Sequence, residues 1–338
     1  MSAKRSQKNT QRQSMFVASM GHRFPDASVE TAALQSIGIE VVNLGGMETE
    51  AALQAAEAAN AVLVGPGIHM DVNALRRLKE CRAIVRYGVG VDNIDLAAAT
   101  VLGITVCNVP DYGVEEVANH TLALLLALAR RLDVWSDTVR KGHWGISRPK
   151  VRLPRLSSAT LGVIGAGRIG QALIVRSAPI WGKILVYDPW VEAEELARIG
   201  AEKTALDALL SVSDFITLHA PSTKETRNLL SEEKLKLVKH GAVLVNCSRG
   251  DLVDEKALEI CLESGQISSA GLDVFREEPP DPAGLVSHPQ VWPTPHVAYL
   301  SNESIRDLRR KAAEEAGRVL RGESPNWPVA QPDEEQTL

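Results

Sequence analysis

The glycine loop Gly165-Ala-Gly167-Arg-Ile-Gly170 follows the apolar run Leu161-Gly-Val-Ile and opens a stretch of helical character from Arg168 to Ala178. That placement restricts the fold more than any other feature. Gly165 permits a tight turn, Gly167 admits a pyrophosphate close to the backbone, and Gly170 lets helix and strand pack closely. Free N–H groups and the dipole at the helix start attract phosphate. The next apolar strand, Ile184-Leu-Val-Tyr, closes on Asp188, at the distance expected of an acid that accepts hydrogen bonds from both ribose hydroxyls. Pro189-Trp190 follow, with no Arg or Lys for a 2′-phosphate, so NAD is expected over NADP. The alternative is a chance glycine turn, against which strand, helix and acid all standing in place argue.

The chain has 338 residues. Single cores stop growing near ~250–300 residues, so two domains are expected. Hydrophobic residues make up 45% and charged residues 23%, which fits a soluble globular protein. The net charge of −5 argues against nucleic acid or an anionic membrane as partner. Cys81, Cys107, Cys247 and Cys261 show no metal-ligand spacing and no secretory context, which implies free thiols, a cytoplasmic setting and no metal. The longest apolar run, Thr121 to Ala129, is far below the ~18–20 residues that span a bilayer. Residues 1–14 carry Lys4, Arg5, Lys8 and Arg12 without an apolar stretch, so they are expected to be a disordered tail rather than a signal peptide. Six Trp beside four Phe and four Tyr are read as core and interface packing.

Strand and helix alternate from Met15 to Tyr87: apolar runs at Met15, Glu40, Ala61 and Cys81, helical stretches at Ser28–Ile37, Glu48–Ala59 and Asp71–Lys79. This pattern predicts a small parallel α/β domain. Glu115 to Arg140 is expected to be one long helix whose centre, Leu122 to Leu128, is apolar on every side and must be buried, against another subunit if not within this one. After a connector from Gly142 to Pro154, alternation resumes through Phe215–His219, Ala242–Asn246 and Ala270–Asp273. It ends in an amphipathic helix from Ser301 to Leu320. The acidic, Pro-rich segment after Gly322 is expected to be loose.

Three further motifs follow the glycine loop in order: Asn246-Cys-Ser-Arg249-Gly, Asp273-Val-Phe-Arg-Glu-Glu278-Pro and Pro293-Thr-Pro-His296. Arg249 emerges at the carboxyl edge of the sheet, where open α/β sheets bind ligands, and its planar fork suits a carboxylate. Standing alone it would be read as a surface ion pair. His296 alone could be a structural histidine, and Glu278 one of two charges before Pro279-Pro280. One acid, one base and one anchor after a nucleotide loop are what hydride transfer to a 2-keto acid requires.

These motifs resemble the D-isomer-specific 2-hydroxyacid dehydrogenases. So do Arg86-Tyr-Gly-Val-Gly-Val-Asp-Asn-Ile-Asp95, Val106-Cys-Asn-Val-Pro110 and Glu115-Glu-Val-Ala-Asn-His-Thr-Leu-Ala-Leu-Leu. The similarity runs over residues 15–328. Phe24-Pro-Asp26 and Thr294-Pro-His-Val-Ala298 resemble the branch of C-terminal-binding proteins and phosphoglycerate-dehydrogenase-like enzymes. The resemblance implies two Rossmann-like doubly wound α/β domains. A flavodoxin-like substrate domain of residues 15–110 and 299–328 would carry an inserted NAD-binding domain of residues 111–298, with residues 329–338 a tail. It also implies a homodimer through the helix from Glu115.

By the same resemblance, Arg249 holds the substrate carboxylate with the backbone amides of Val89 and Gly90. His296 is the acid/base and Glu278 its partner. Gly165, Gly167, Arg168, Ile169, Gly170, Asp188, His219, Pro221, Thr226, Cys247, Ser248, Asp273 and His296 surround NAD. The chain departs from the pattern twice. Tyr299 stands where the C-terminal-binding branch has Trp, which changes the pocket wall. The loop Gly65-Pro-Gly-Ile-His-Met70 lacks the arginines that phosphoglycerate dehydrogenases often place there, leaving Arg86 and His69 as nearby cations. The expected activity is NAD-dependent reduction of a small 2-keto acid of the glyoxylate or hydroxypyruvate type. D-3-phosphoglycerate dehydrogenase and an NAD(H)-sensing, corepressor-like binding protein are the alternatives.

Overall fold

The computed structural model describes residues 15–145 and 153–332, so the expected N-terminal tail and most of the connector before Pro154 lie outside the described residues. The chain divides into two compact units, Met1–Tyr112 with Asn302–Leu338, and Gly113–Ser301.

The first unit is built on β1 (Phe16–Met20), β2 (Glu40–Leu44), β3 (Ala61–Val64), β4 (Ala83–Arg86) and β5 (Thr105–Cys107). These lie parallel in the order β2-β1-β3-β4-β5. Val17, Leu63 and Val85 are buried on one face against Leu308, Ala312, Ala313 and Ala316 of the helix Asn302–Leu320. The other face is covered by the helices Thr49–Ala56 and Val72–Arg77 through Leu53, Ala56 and Leu75. Burial on both sides explains why the central strands β1, β3 and β4 read as short, mostly apolar runs instead of alternating ones. Asp71 caps its helix, its carboxylate accepting from the N–H groups of Asn73 and Ala74.

The second unit contains β6 (Thr160–Ile164), β7 (Lys183–Tyr187), β8 (Glu202–Lys203), β9 (Phe215–Leu218), β10 (Ala242–Asn246), β11 (Ile267–Leu272) and β12 (Val291–Pro293). All are parallel, in the order β8-β7-β6-β9-β10-β11-β12. The order reverses between β6 and β9, the switch point at which doubly wound sheets bind dinucleotides. The sheet is sandwiched. Leu124, Leu125 and Leu128 of the helix Val114–Ala129 pack with Leu161, Val163 and Val245 on one face. Leu209, Leu235 and Leu258 cover the other.

Two expectations need correction. The long helix from Glu115 is two helices, Val114–Ala129 and Leu132–Arg140. Arg131 adopts a left-handed conformation (φ 49°) between them. The buried stripe stops at Ala129 and Arg130 is exposed, so packing no longer holds the helix on course. The segment after Gly322 is also more ordered than its composition suggests. Pro328–Ala330 forms β13, antiparallel to β5. Buried Glu315 secures the approach by accepting from Asn326 N at 2.7 Å and Trp327 N at 3.2 Å. Among the described residues no helix is long and apolar enough to cross a membrane, and no cluster of His, Cys, Asp and Glu could hold a metal ion.

Candidate active site

The register of the second sheet assembles the site. Tyr187, Ile164, Leu218, Asn246, Leu272 and Pro293 are paired across six adjacent strands. The next residues along the chain are Asp188, Gly165, His219, Cys247, Asp273 and Thr294. Every functional motif of this unit therefore leaves the same carboxyl edge, and in-register parallel pairing brings residues as distant as Gly165 and His296 to one rim.

The glycine loop can accept a dinucleotide. Gly165 has φ 93°, and a Cβ there would come within 2.6 Å of Ala220 N. A Cβ on Gly170 would strike the Gly165 carbonyl oxygen. Over Gly167, by contrast, nothing lies within 4 Å of where a Cβ would stand, so the backbone faces open space. Gly167 begins the helix Arg168–Ser177 without a side-chain cap, leaving room for a pyrophosphate to take that role. Asp188 is buried and aimed at this loop. Its Oδ2 accepts from Ala166 N at 2.7 Å, while Oδ1 accepts from Trp190 N and Val191 N at 2.8 and 3.2 Å. These bonds fix the carboxylate, whose remaining lone pairs can serve a ribose.

The other expected cofactor residues shape the rim. Burial pushes the His219 imidazole down to about 4, so the ring is neutral, with Nε2 3.1 Å from Thr217 Oγ1. The Thr226 hydroxyl donates to Pro221 O at 2.6 Å and closes the turn between them. Ser248 Oγ donates to Ala220 O at 2.5 Å, tying the loop after β10 to that after β9. Burial pushes the Cys247 thiol up to about 12, which keeps it protonated and unreactive.

Arg249 sits on a turn braced by buried Asn246. Asn246 Nδ2 donates to Arg249 O at 2.7 Å and its Oδ1 accepts from Ser248 N at 3.0 Å. Gly250 allows the turn to lie against Phe275 and Arg276, because a Cβ there would overlap their backbone. That loop carries Glu278, whose Oε1 accepts from Phe275 N at 3.1 Å. His296 Nδ1 meets Glu278 Oε2 at 2.6 Å. Burial alone would raise the Glu278 pKa. The hydrogen bond and charge of His296, the Phe275 N–H and the Arg249 charge more than offset it and hold the carboxyl below its usual range. An ionised carboxylate can only accept, so Nδ1 carries the proton and Nε2 is the nitrogen left for a substrate.

Asp273, expected beside the cofactor, has its buried carboxylate engaged by the histidine loop. Oδ1 accepts from Thr294 Oγ1 at 2.5 Å and Val297 N at 2.9 Å, and Oδ2 from Ala298 N at 2.9 Å. The Asp273 carbonyl accepts from His296 N at 2.8 Å. His296 has φ 55°, a left-handed conformation that costs a non-glycine residue ~1–3 kcal/mol and survives only where the surroundings over-determine it. Asp273 supplies that constraint. His120, at 3.1 Å from Thr294 Oγ1, adds to it from the helix Val114–Ala129. Sequence reasoning missed His120 as a support of this loop; its presence in a motif was the only available signal. Tyr299 packs edge-on to His296 with ring centroids 6.3 Å apart.

In the first unit, Arg86 folds its guanidinium back onto the Tyr87 carbonyl, over Gly88. Val89 is exposed, and its carbonyl accepts from Asn108 Nδ2 at 2.6 Å. His69 is exposed. A further cation, Arg23, stands on the turn after β1, whose Gly21 carbonyl accepts from Gly67 N at 3.1 Å. Sequence reasoning missed Arg23 near the Gly65–Met70 loop, because only the tertiary fold brings these turns together.

Residues 122–298 match the sequence profile of the D-isomer specific 2-hydroxyacid dehydrogenase NAD binding domain. The chain is 38% identical over 291 residues to a D-3-phosphoglycerate dehydrogenase of Methanocaldococcus jannaschii, covering 86% of this chain and 55% of that protein. It is 36% identical over 293 residues to one of Mycobacterium tuberculosis, covering 87% and 55%. The chain thus spans about half the length of these curated relatives. Among solved structures, the Aquifex aeolicus D-lactate dehydrogenase complexed with NAD and lactic acid superposes with a TM-score of 0.83 at 29% identity, over 94% of this chain and all of that one. A Thermus thermophilus protein gives a TM-score of 0.82 at 33% identity, over 93% of this chain and 100% of that one.

Proposed function

Because the chain belongs to the D-isomer-specific 2-hydroxyacid dehydrogenase family, we propose that it interconverts a small 2-keto acid and its D-2-hydroxy acid with NAD(H), using Arg249, Glu278 and His296. The observation that carries this reading is the 2.6 Å His296–Glu278 bond, with the Arg249 charge acting on the same carboxylate. Bound NADH supplies the hydride. Arg249 grips the substrate carboxylate, aided by the amides of Val89 and Gly90, and fixes the orientation of the adjacent keto group. His296 gives the Nε2 proton to the substrate oxygen as charge develops there. Glu278 keeps Nδ1 protonated, orients the ring and stabilises the imidazolium. In oxidation the same nitrogen takes the proton back.

The fixed Asp188 carboxylate suits the two ribose hydroxyls and repels a 2′-phosphate. NADH is therefore expected to exceed NADPH in kcat/KM by well over tenfold, about 1.4 kcal/mol or more. Asp188→Ala should narrow the gap, and equal efficiency of the two cofactors in the wild-type protein would contradict the assignment.

For the substrate, the leading reading is an unphosphorylated acid such as glyoxylate or hydroxypyruvate. The Gly65–Met70 loop offers a phosphate only His69, and each missing charge-assisted hydrogen bond would forfeit ~1.5–3 kcal/mol. A D-3-phosphoglycerate dehydrogenase is the second reading, favoured by the names of the relatives and by Arg23 and Arg86 in the first unit. Comparison of kcat/KM for hydroxypyruvate and phosphohydroxypyruvate decides between them. Preference for the phosphorylated acid would sink the leading reading, and Arg23→Ala and Arg86→Ala would then locate the charge.

The active form is proposed to be a homodimer. In a single chain the helix Val114–Ala129 leaves Leu122, Leu126 and Ala127 half-buried and Ala123 exposed. Leu132 and Val139 of the following helix are also exposed.

A further inference from the structure

Beneath the Gly88-Val89-Gly90 turn of the first unit runs a buried hydrogen-bond chain whose direction follows from its ends. Phe24 N donates to His22 Nδ1 at 3.0 Å, so that nitrogen is bare and Nε2 carries the proton. Nε2 lies 2.7 Å from Ser19 Oγ, which must accept. At the other end Tyr87 donates its hydroxyl proton to Glu30 Oε1 at 2.9 Å. Ser19 Oγ, 2.8 Å from the Tyr87 oxygen, therefore donates to it. Glu30 terminates the chain and is held by Arg309, whose Nε and Nη2 donate to Oε1 and Oε2 at 2.8 and 2.7 Å.

Every hydroxyl in this chain has a single direction, and no member is exposed. Burial, with the Glu30 charge added, pushes the Tyr87 hydroxyl well up, so it remains a donor. Burial lowers the His22 pKa, in keeping with a neutral ring. The rings lock as well. His22 stacks on Phe24 at 4.4 Å, and Tyr87 meets both edge-on at 5.4 and 5.1 Å. Arg309 lies over the Phe24 ring at 4.9 Å.

The residue after Tyr87 is Gly88, with φ 139°. Its N–H donates to Arg86 O at 2.9 Å and its carbonyl accepts from Val109 N at 3.0 Å. Asn108 Nδ2 holds the Val89 carbonyl. The turn is thus clamped on one side by residues 108 and 109 and on the other by Tyr87, yet Val89 itself is exposed. A backbone kept rigid while its surface faces solvent is what preorganised binding of a small anion requires.

We propose that Tyr87 is a positioning residue for substrate: through the chain from His22 to Glu30 it sets the Gly88–Gly90 turn so that its amides meet the substrate carboxylate. This rests on the reading that the Val89 and Gly90 amides bind that carboxylate. Tyr87 touches neither substrate nor cofactor, and Ser19, His22 and Glu30 act through it. Because the turn serves binding and not the proton transfer, loss of the hydroxyl should weaken substrate affinity and spare the chemical step.

The test uses the full chain with glyoxylate and hydroxypyruvate as substrates and oxamate as a carboxylate probe. Tyr87→Phe should raise KM and the oxamate Kd by about tenfold, with kcat and the NADH Kd changed by less than about twofold. Amide hydrogen exchange at Val89 and Gly90 should accelerate. Ser19→Ala keeps the Tyr87–Glu30 bond and cuts only the His22 arm, so it should move the same quantities less. It decides the matter should Tyr87→Phe fail to fold. Folded variants with unchanged KM, oxamate affinity and exchange at the turn would overturn the proposal, as would parallel loss of NADH and oxamate binding, the mark of general loosening. If the wild-type protein reduces no 2-keto acid, the proposed activity itself has failed and the positioning role falls with it. An active wild type beside an indifferent Tyr87→Phe refutes the positioning role alone.

Discussion

His296→Ala is expected to lower kcat by about 10²–10⁴-fold while the NADH Kd stays near its wild-type value, because the imidazole acts only as the transition state forms. The structure supports so large an effect: the bond from Nδ1 to Glu278 fixes the ring, and the left-handed backbone at His296 is maintained by Asp273. Near-wild-type turnover in this variant would mean that another group moves the proton. Glu278→Gln adds a pH signature. Glu278 is held below the usual carboxylate range, so the wild-type rate should persist as pH falls through that range and drop only when Glu278 itself protonates. Glu278→Gln should lower kcat and remove that acid limb from the rate profile. An acid limb retained in Glu278→Gln would contradict the pairing.

Arg249→Ala is expected to cost ~2–5 kcal/mol in kcat/KM, since a desolvated carboxylate loses its charged partner. Much of the loss should appear in KM and in the affinity for oxamate, which distinguishes this variant from His296→Ala. Arg249→Lys restores the charge without the planar fork, so it should recover affinity only in part. Glu278 gives an independent check: the Arg249 charge is one of the influences lowering its pKa, so Arg249→Ala should move the acid limb set by Glu278 to higher pH. Unchanged KM and oxamate affinity in Arg249→Ala would remove the arginine from the site.

Much of this site is legible in the sequence because its residues follow strand ends. A buried parallel strand reads as a short apolar run, and the residue that leaves it is fixed by where the run stops: Asp188 after Tyr187, Asp273 after Leu272. Side-chain engagement was not legible in the same way. The placement of Asp273 gave no indication that its carboxylate would hold the His296 loop, which depends on the depth of β11 beside β12. The break at Arg131 escaped because nothing local marks it. Arg130 and Arg131 are acceptable helix residues, and it is the end of burial at Ala129 that releases the helix. Composition hid β13 because its order comes from Glu315, a helical carboxylate that lies inside the fold instead of on its surface. Arg23 entered only with the fold, since β1 and β3 are neighbours in space and distant in sequence.

The most direct test of the central claim follows a label. Incubation of the full chain with NADH carrying deuterium at the transferable position of the nicotinamide, together with glyoxylate, hydroxypyruvate, pyruvate and phosphohydroxypyruvate in turn, asks whether the label reaches C2 of a 2-hydroxy acid. Transfer is expected for at least one unphosphorylated acid, giving the D product wherever C2 becomes a stereocentre, and its rate should fall by about 10²–10⁴-fold in His296→Ala. Tight NADH binding with no label transferred to any of these acids would contradict the account and identify the chain as an NAD(H)-binding protein without this activity.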